Sequence, residues 1–184
     1  MESLAGYFLI ATHQMPDPRF AGRVIYMCRH EDEEGAMGFI VNQPLADLTL
    51  AELYTSMSMD IPNLDLPNIF MGGPVEMNGI FFLHSSDYTT ANYLEVTESI
   101  RLSRSPAILD AIANNKGPRD YRCLIGYAGW APGQLEEEVG HEGWLILPAS
   151  YNDLFKTSPE AMWKQIAARY GIDITTFSEQ TGYA

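Results

Sequence analysis

The feature that most constrains this fold is a series of short apolar runs of strand length, separated by turn-forming residues. Residues 7–12 and 23–29 are nearly continuous apolar runs, which is typical of strands covered on both faces. A loop with two prolines separates them. Because residues 36–41 resume as a strand after the charged turn at 31–35, the second and third strands are predicted to pair as a hairpin.

Start and stop signals predict the remaining elements. Further strands are expected at 68–71, 79–84, 93–97, 121–127 and 144–147. Short helices are expected after the capping box Thr49–Glu52, after Ser105-Pro106 with Gly117 as a left-handed stop, from Pro132, and after Ser158-Pro159. The last of these ends at Gly171, and its inward face is predicted to be Met162, Trp163, Ile166, Ala167 and Tyr170. Strands clustered with short helices predict one α+β domain over residues 1–184.

Composition and charge exclude several classes of protein. Hydrophobic residues are 46% and charged residues 19% of the chain, which is enough to fill a core and argues against disorder. The net charge of −13 repels nucleic-acid phosphates, so direct nucleic-acid binding is disfavoured. The cations near the middle of the chain are predicted to be solvated surface residues: Arg101, Arg104, Lys116, Arg119 and Arg122.

The cysteines and the amino terminus point to a cytoplasmic protein. Cys28 and Cys123 each lie inside an apolar run, where a free thiol packs as a small hydrophobe. The first residues form no basic segment followed by an apolar one, so no secretory signal is expected. No stretch approaches the length of about 18 apolar residues that a membrane helix needs.

Motifs along almost the whole chain occur in the order found in one bacterial family. They are Phe8-Leu9-Ile10-Ala11, Asp17-Pro18, Phe20, His30, Gly35-Ala36-Met37-Gly38, Asn42, Pro44-Leu45, Gly72-Gly73-Pro74-Val75, Leu83-His84, Gly126–Trp130, Pro132–Glu136, Trp144-Leu145, Phe155, Trp163 and Gly182-Tyr183-Ala184. In these motifs the sequence resembles the AlgH/YqgE family. Two positions differ: Thr12-His13 replaces a common Met-Pro, and Tyr183 replaces a common His.

The resemblance implies coiled, bifurcated β-sheets that include a small closed barrel and are surrounded by short helices. It also carries the label of transcriptional regulator, taken from a member linked to alginate control. It supplies no established catalytic residue, and a shared fold does not by itself give a function.

Three segments contain residue types that could perform chemistry or bind a ligand. His84 is followed by Ser85, Ser86 and Asp87, but sequence neighbours rarely form a triad, and a structural histidine at a strand end is favoured. His30 and the acidic run 31–34 lack the spacing of a calcium loop and the further ligands of a zinc site. They are interpreted as a solvated acidic hairpin tip. We expect no catalytic residue, metal or cofactor.

Two glycines, Gly72 and Gly73, are the third such segment. Their N–H groups could approach an anion, but they lack a nucleotide-binding fingerprint. The favoured interpretation is that they supply backbone angles that a side chain would forbid.

The stretch 127–138 is the most unusual part of the sequence, since it joins a glycine-rich strand to a new helix. Such a junction can place polar groups beside free N–H donors. We hypothesise one pocket lined by Asn42, His84, Trp130, Gln134 and Glu136, with Gly72 and Gly73 as further ligand-binding candidates. The alternative is that Trp130 belongs to the core and Gln134 is a local cap.

These observations leave three functions open. The favoured one is a cytosolic module that binds a small ligand or a protein partner, has a regulatory role and performs no chemistry. The second is a hydrolase that uses His84 with Glu136 or Asp87. The third is a transcriptional regulator that binds DNA directly, which the net charge of −13 disfavours.

Overall fold

Ten strands and five short helices make up the fold, and the computed structural model describes residues 2–177. The strands are Tyr7–Ala11 (β1), Val24–Glu31 (β2), Gly35–Ile40 (β3), Pro44–Thr49 (β4), Asn68–Met71 (β5), Val75–Ser85 (β6), Tyr93–Thr97 (β7), Ile100–Ser103 (β8), Tyr121–Trp130 (β9) and Trp144–Pro148 (β10). The helices are Leu50–Ser56 (α1), Ala107–Ala113 (α2), Gln134–Gly140 (α3), Tyr151–Lys156 (α4) and Pro159–Arg169 (α5), and a 3-10 turn spans Pro18–Phe20.

Most strands join one curled sheet in the order β10-β1-β2-β3-β9-β6-β8-β7. Neighbours along this path are antiparallel, including the predicted β2–β3 hairpin, while β5 pairs with β9 in parallel. The α+β class and the mixed sheet are therefore confirmed. The resemblance implied a closed barrel; the structure has a half-barrel, since the strand path ends at β10 and β7.

The sheet bifurcates at β9. One edge of β9 pairs with β6, while the other pairs first with β5, where Phe70 lies opposite Leu124, and then with β3. Gly126 lies between these two segments with φ of +68°. A methyl group on Gly126 would overlap the backbone oxygen of Gly73, so only glycine allows the two backbones to approach closely at this fork.

Both faces of the sheet are buried, as the continuous apolar runs predicted. Phe8 and Ile10 of β1 pack in a cluster that α4 and α5 cover, while Leu9 and Ala11 pack in a second cluster that α3 covers. A third cluster lies beneath α1 and α2. Alternate residues of one strand thus enter different parts of the core.

The helix signals are mostly confirmed. Thr49 and Glu52 form the predicted capping box of α1, and Gly171 adopts φ of +73° after α5. The stop of α2 was predicted wrongly: Asn115, with φ of +54°, takes the left-handed conformation there instead of Gly117. Asparagine tolerates this conformation because its short polar side chain hydrogen-bonds locally.

Other elements differ from the predictions. Strands β4 and β8 and helix α4 were not predicted, and β6 begins four residues before its predicted start. Tyr170 is 47% exposed and is not on the inward face of α5. The prediction of a solvated surface is wrong for Arg122, which is 8% exposed.

Cys28 and Cys123 are buried free thiols, and burial raises the pKa of the Cys123 thiol to about 12. Within residues 2–177 no helix is both long and apolar enough to cross a membrane. The terminal motif Gly182-Tyr183-Ala184 lies outside the described residues.

Candidate functional site

The predicted junction at the end of β9 forms the centre of a polar site. Gly133 takes a left-handed conformation, with φ of +79°, and starts α3 directly after the strand. The Gln134 side chain accepts a hydrogen bond from the Ala131 N–H at 3.1 Å. Gln134 is therefore a local cap of the turn, as the alternative interpretation held, and its amide nitrogen points elsewhere.

A single carboxylate, that of Glu138, collects three neutral donors at this junction. The indole N–H groups of Trp130 and Trp144 donate to its Oε2 atom at 3.0 and 2.8 Å, and the Gln134 amide donates to Oε1 at 2.9 Å. Both tryptophans are buried, and their rings meet edge to face with centroids 6.2 Å apart. Trp130 is thus a core residue whose indole N–H also donates a hydrogen bond to Glu138.

Trp130, Gln134 and Glu138 line a cleft of about 330 Å³, which we call the tryptophan cleft. Its walls come from the loop before β2, the start of β6, the end of β9 and the first turn of α3. The lining residues are Met15, Pro16, Asp17, Arg19, Phe20, Pro74, Val75, Gly129, Trp130, Gln134 and Glu138.

The charged groups on the opposite wall of the cleft pair with each other. The Arg19 Nε atom donates to Asp17 Oδ1 and Oδ2 at 3.0 Å each, and a terminal nitrogen donates to Oδ2 at 2.6 Å. The hydrogen bonds from Arg19 lower the pKa of the Asp17 carboxyl. Since this pair is neutral overall, Glu138 gives the cleft its net charge.

The structure does not gather the predicted pocket residues at one place. Only Trp130 and Gln134 line the tryptophan cleft. The Asn42 side chain instead accepts from the Val24 N–H at 2.9 Å and donates to the Gly22 carbonyl at 3.0 Å. Asn42 ties the start of β2 to the segment between β3 and β4, and these hydrogen bonds satisfy its buried amide.

The Glu136 carboxylate lies beside His30 and not beside His84. Oε1 of Glu136 is 3.0 Å from His30 Nε2, and His30 Nδ1 accepts from the Leu4 N–H at 3.2 Å. The accepting Nδ1 places the ring proton on Nε2, which donates to Glu136. His30 is 7% exposed, so it is not part of the solvated hairpin tip, although residues 31–34 are exposed as predicted.

The two glycines next to β5 serve the backbone. The Gly72 N–H donates to the Ile125 carbonyl at 2.8 Å, and so this donor is already used. A methyl group on either Gly72 or Gly73 would overlap backbone atoms of β9. The predicted role in backbone angles holds for Gly73, with φ of +156°, whereas at Gly72 the close approach of β9 excludes a side chain. Ligand binding by the two glycines stays a prediction.

His84 is fully buried and is satisfied by structural partners. Nδ1 lies 2.9 Å from the Ser85 carbonyl, which fixes the proton on this nitrogen, and Nε2 accepts from the Ser103 hydroxyl at 2.8 Å. Asp87 instead accepts from the Ser85 hydroxyl and the Arg119 N–H. Burial lowers the pKa of the His84 imidazole.

We expect His84 to make folding stability depend on pH. Because its folded-state pKa lies below the ordinary value of 6.5, the unfolded chain binds the proton more readily. This contribution is complete above pH 6.5 and is lost as the pH falls below it. Urea unfolding at a series of pH values should show a weaker dependence in His84→Gln, together with a loss of about 1–3 kcal/mol at high pH.

The exposed His141 offers the matched control. His141→Gln should leave the pH dependence of unfolding unchanged. If His84→Gln and the wild type lose stability in parallel as the pH falls, then His84 is not the group responsible.

Two residues of this polar site, Glu138 and Trp144, were not predicted from the sequence. Glu138 was not among the predicted site residues, although it follows Gln134 by four residues, a spacing that places both on one face of a helix. Trp144 is brought to the site by pairing of β10 with β1, which has no local sequence signal.

Known proteins resemble this chain along most of its length. A family profile described as AlgH-like matches residues 8–175. The chain belongs to the AlgH-like family. Similar relatives of this AlgH-like protein include a UPF0301 protein of Desulfotalea psychrophila, 42% identical over 182 residues that cover 99% of this chain and 95% of the relative. Another UPF0301 protein, of Thioalkalivibrio sulfidiphilus, is 40% identical and covers 96% and 95%.

Solved structures agree with the AlgH-like fold. The solution structure of AlgH from Pseudomonas aeruginosa superposes with a TM-score of 0.80 and 38% identity, covering 100% of this chain and 97% of that one. A crystal structure of a Corynebacterium diphtheriae protein gives a TM-score of 0.73 at 19% identity, covering 94% and 90%. The latter likeness shows the fold alone.

Proposed function

We propose that this AlgH-like protein is a binding module, and that its tryptophan cleft takes a lysine or arginine side chain of a partner protein. Its regulatory role would then follow from holding that partner. The observation that carries the proposal is the Glu138 carboxylate, which three neutral donors hold at the cleft and which forms no ion pair with any residue in 2–177.

The hydrogen bonds of Glu138 leave one acceptor position free for a cationic side chain. A carboxylate accepts about four hydrogen bonds, and three are in use. Oε2 holds both indole donors, whereas Oε1 holds only the Gln134 amide. A cationic N–H group can therefore approach Oε1 without displacing a partner, and charge-assisted hydrogen bonds are the stronger kind.

The shape and the aromatic walls of the cleft also suit a cationic side chain. Phe20 and Trp130 line it, and aromatic faces attract ammonium and guanidinium groups. A volume of about 330 Å³ is at the small end of ligand pockets and is large enough for one long side chain. The net charge of −13 attracts a basic partner over a longer range and raises the association rate.

The two alternative functions find less support. A hydrolase would need His84 to meet Glu136 or Asp87, but Nε2 of His84 is occupied by Ser103 and Glu136 lies at His30. Direct DNA binding is opposed by the net charge. A regulatory effect through a protein partner requires neither a catalytic histidine nor binding to DNA.

The proposal can be tested with small charged probes. Acetyl-lysine amide, which keeps its side-chain ammonium, and acetyl-arginine amide are titrated into the protein, and the indole N–H signals of Trp130 and Trp144 are followed by NMR. Both signals should shift, because a cation bound at Oε1 changes the charge of the carboxylate that these groups donate to. Acetyl-norleucine amide and acetyl-citrulline amide, which have similar shapes without charge, should have little effect.

Glu138→Gln separates the charge from the hydrogen bonds, since its amide oxygen can still accept from both indoles. We expect affinity for the cationic probes to fall about tenfold. Glu137→Gln removes the same charge from an exposed neighbour and should retain binding. Indole signals that ignore the cationic probes, or respond equally to the neutral ones, would disprove the proposal.

A further inference from the structure

A second cavity, at the opposite end of β9, contains a buried cation. Arg122 is 8% exposed and lies at the wall of a cavity of about 470 Å³. We call this space the arginine cavity; it is also lined by Phe70, Phe155, Lys156, Thr157 and Ser158. It shares no lining residue with the tryptophan cleft.

Two contacts fix the Arg122 guanidinium and leave half of it free. Nε donates to the Leu154 carbonyl at 2.8 Å, and the guanidinium carbon lies 4.5 Å from the centre of the Phe70 ring. The two terminal nitrogens have no hydrogen-bond acceptor among residues 2–177. They form the planar fork that recognises a carboxylate or phosphate through two parallel hydrogen bonds.

The charge of Arg122 also lacks an opposite charge in residues 2–177. No carboxylate of that part of the chain lies within ion-pair distance of it, although Glu160 lines the same cavity. Burial lowers the pKa of the guanidinium to about 10. An isolated buried charge is costly to folding, and a bound anion would remove this cost.

Neighbouring groups add donors of the same kind. Ser158 is the N-cap of the eleven-residue helix α5, but its hydroxyl makes no capping hydrogen bond. It is therefore available at the positive end of a helix dipole. Lys156, at the same wall, is bound to Asp120, so Arg122 is the group with unused capacity.

We propose that the arginine cavity binds a small organic ligand through an oxyanion group, a phosphate or a carboxylate, held by the terminal nitrogens of Arg122. The cavity exceeds the volume of a bare oxyanion, and Phe70 and Phe155 provide apolar walls for the rest of the ligand. This site attracts the opposite charge from the tryptophan cleft, and its existence does not depend on the cation-binding function proposed there.

The wild-type protein, labelled with ¹⁵N at arginine, provides the first test. Phenyl phosphate and phenylacetate are the probes, benzyl alcohol is the neutral control, and sodium chloride keeps the ionic strength constant so that screening is equal. The side-chain N–H signals of Arg122 should shift with one or both anions and not with the alcohol. A response to phenyl phosphate indicates that the cavity recognises phosphate, and a response to phenylacetate indicates that it recognises carboxylate.

Substitutions then show whether Arg122 is the residue that binds the anion. Arg122→Lys keeps the charge but not the planar fork, and it should lower affinity at least about tenfold. Arg119→Gln, a change at an exposed arginine, should bind as the wild type does. Should Arg122 of the folded wild type give no response to either anion, or should Arg119→Gln weaken binding as much as Arg122→Lys, the proposal is wrong.

Discussion

Replacing Gly73 by alanine should cost at least about 4 kcal/mol of folding stability, and the variant should be largely unfolded or aggregated. The added methyl group would lie closer than 3.0 Å to the backbone carbon and oxygen of Tyr127 and to the Ala128 nitrogen. These are atoms of β9, which is paired on both edges and cannot move aside. Circular dichroism and urea unfolding measure the effect.

Gly133→Ala is the matched control, because Gly133 also has positive φ but has open space around its Cα atom. It should cost only the left-handed strain of about 1–2 kcal/mol. A Gly73→Ala protein as stable as Gly133→Ala would mean that the two strands are not as close at the fork as described.

Replacing Glu138 by alanine should destabilise the protein by about 2–4 kcal/mol, because two buried indole N–H groups lose their common acceptor. Trp130 and Trp144 are 6% and 4% exposed, so water cannot easily take the place of the carboxylate. Urea unfolding followed by tryptophan fluorescence measures the loss and also reports the change around both rings.

Glu137→Ala removes an exposed carboxylate one residue earlier in the same helix and should change stability by less than about 0.5 kcal/mol. Glu138→Gln should lie between the two alanine variants, since one oxygen remains for the indoles. Equal stability of Glu138→Ala and Glu137→Ala would show that the shared acceptor contributes little.

Local signals allowed much of the fold to be predicted. Continuous apolar runs identified β1 and β2, and the capping box at Thr49 identified the start of α1, because both depend on residues adjacent in sequence. Strand β4 was missed because none of its six residues is buried and Pro44 begins it. Its strand conformation comes from pairing with β5, which is a tertiary effect.

The candidate site was predicted only in part, for a similar reason. Trp130 and Gln134 were found because an unusual local segment contains them. The error at Glu136 arose because successive helix residues point in different directions, so that Glu136 meets His30 whereas Glu138 meets the tryptophans. The burial of Arg122 was not predicted, because the groups that cover it, Leu154 and Phe70, are distant in sequence.

The course of β9 through the fork determines how the two proposed sites are placed relative to each other. Arg122 and Trp130 stand near the two ends of this one strand, and eight residues at about 3.3 Å each separate them by at most roughly 26 Å. Because both residues belong to one strand that is paired on both edges, this separation changes little. The two proposed sites share no wall and are linked by this one strand, so a ligand bound at one would leave the other open.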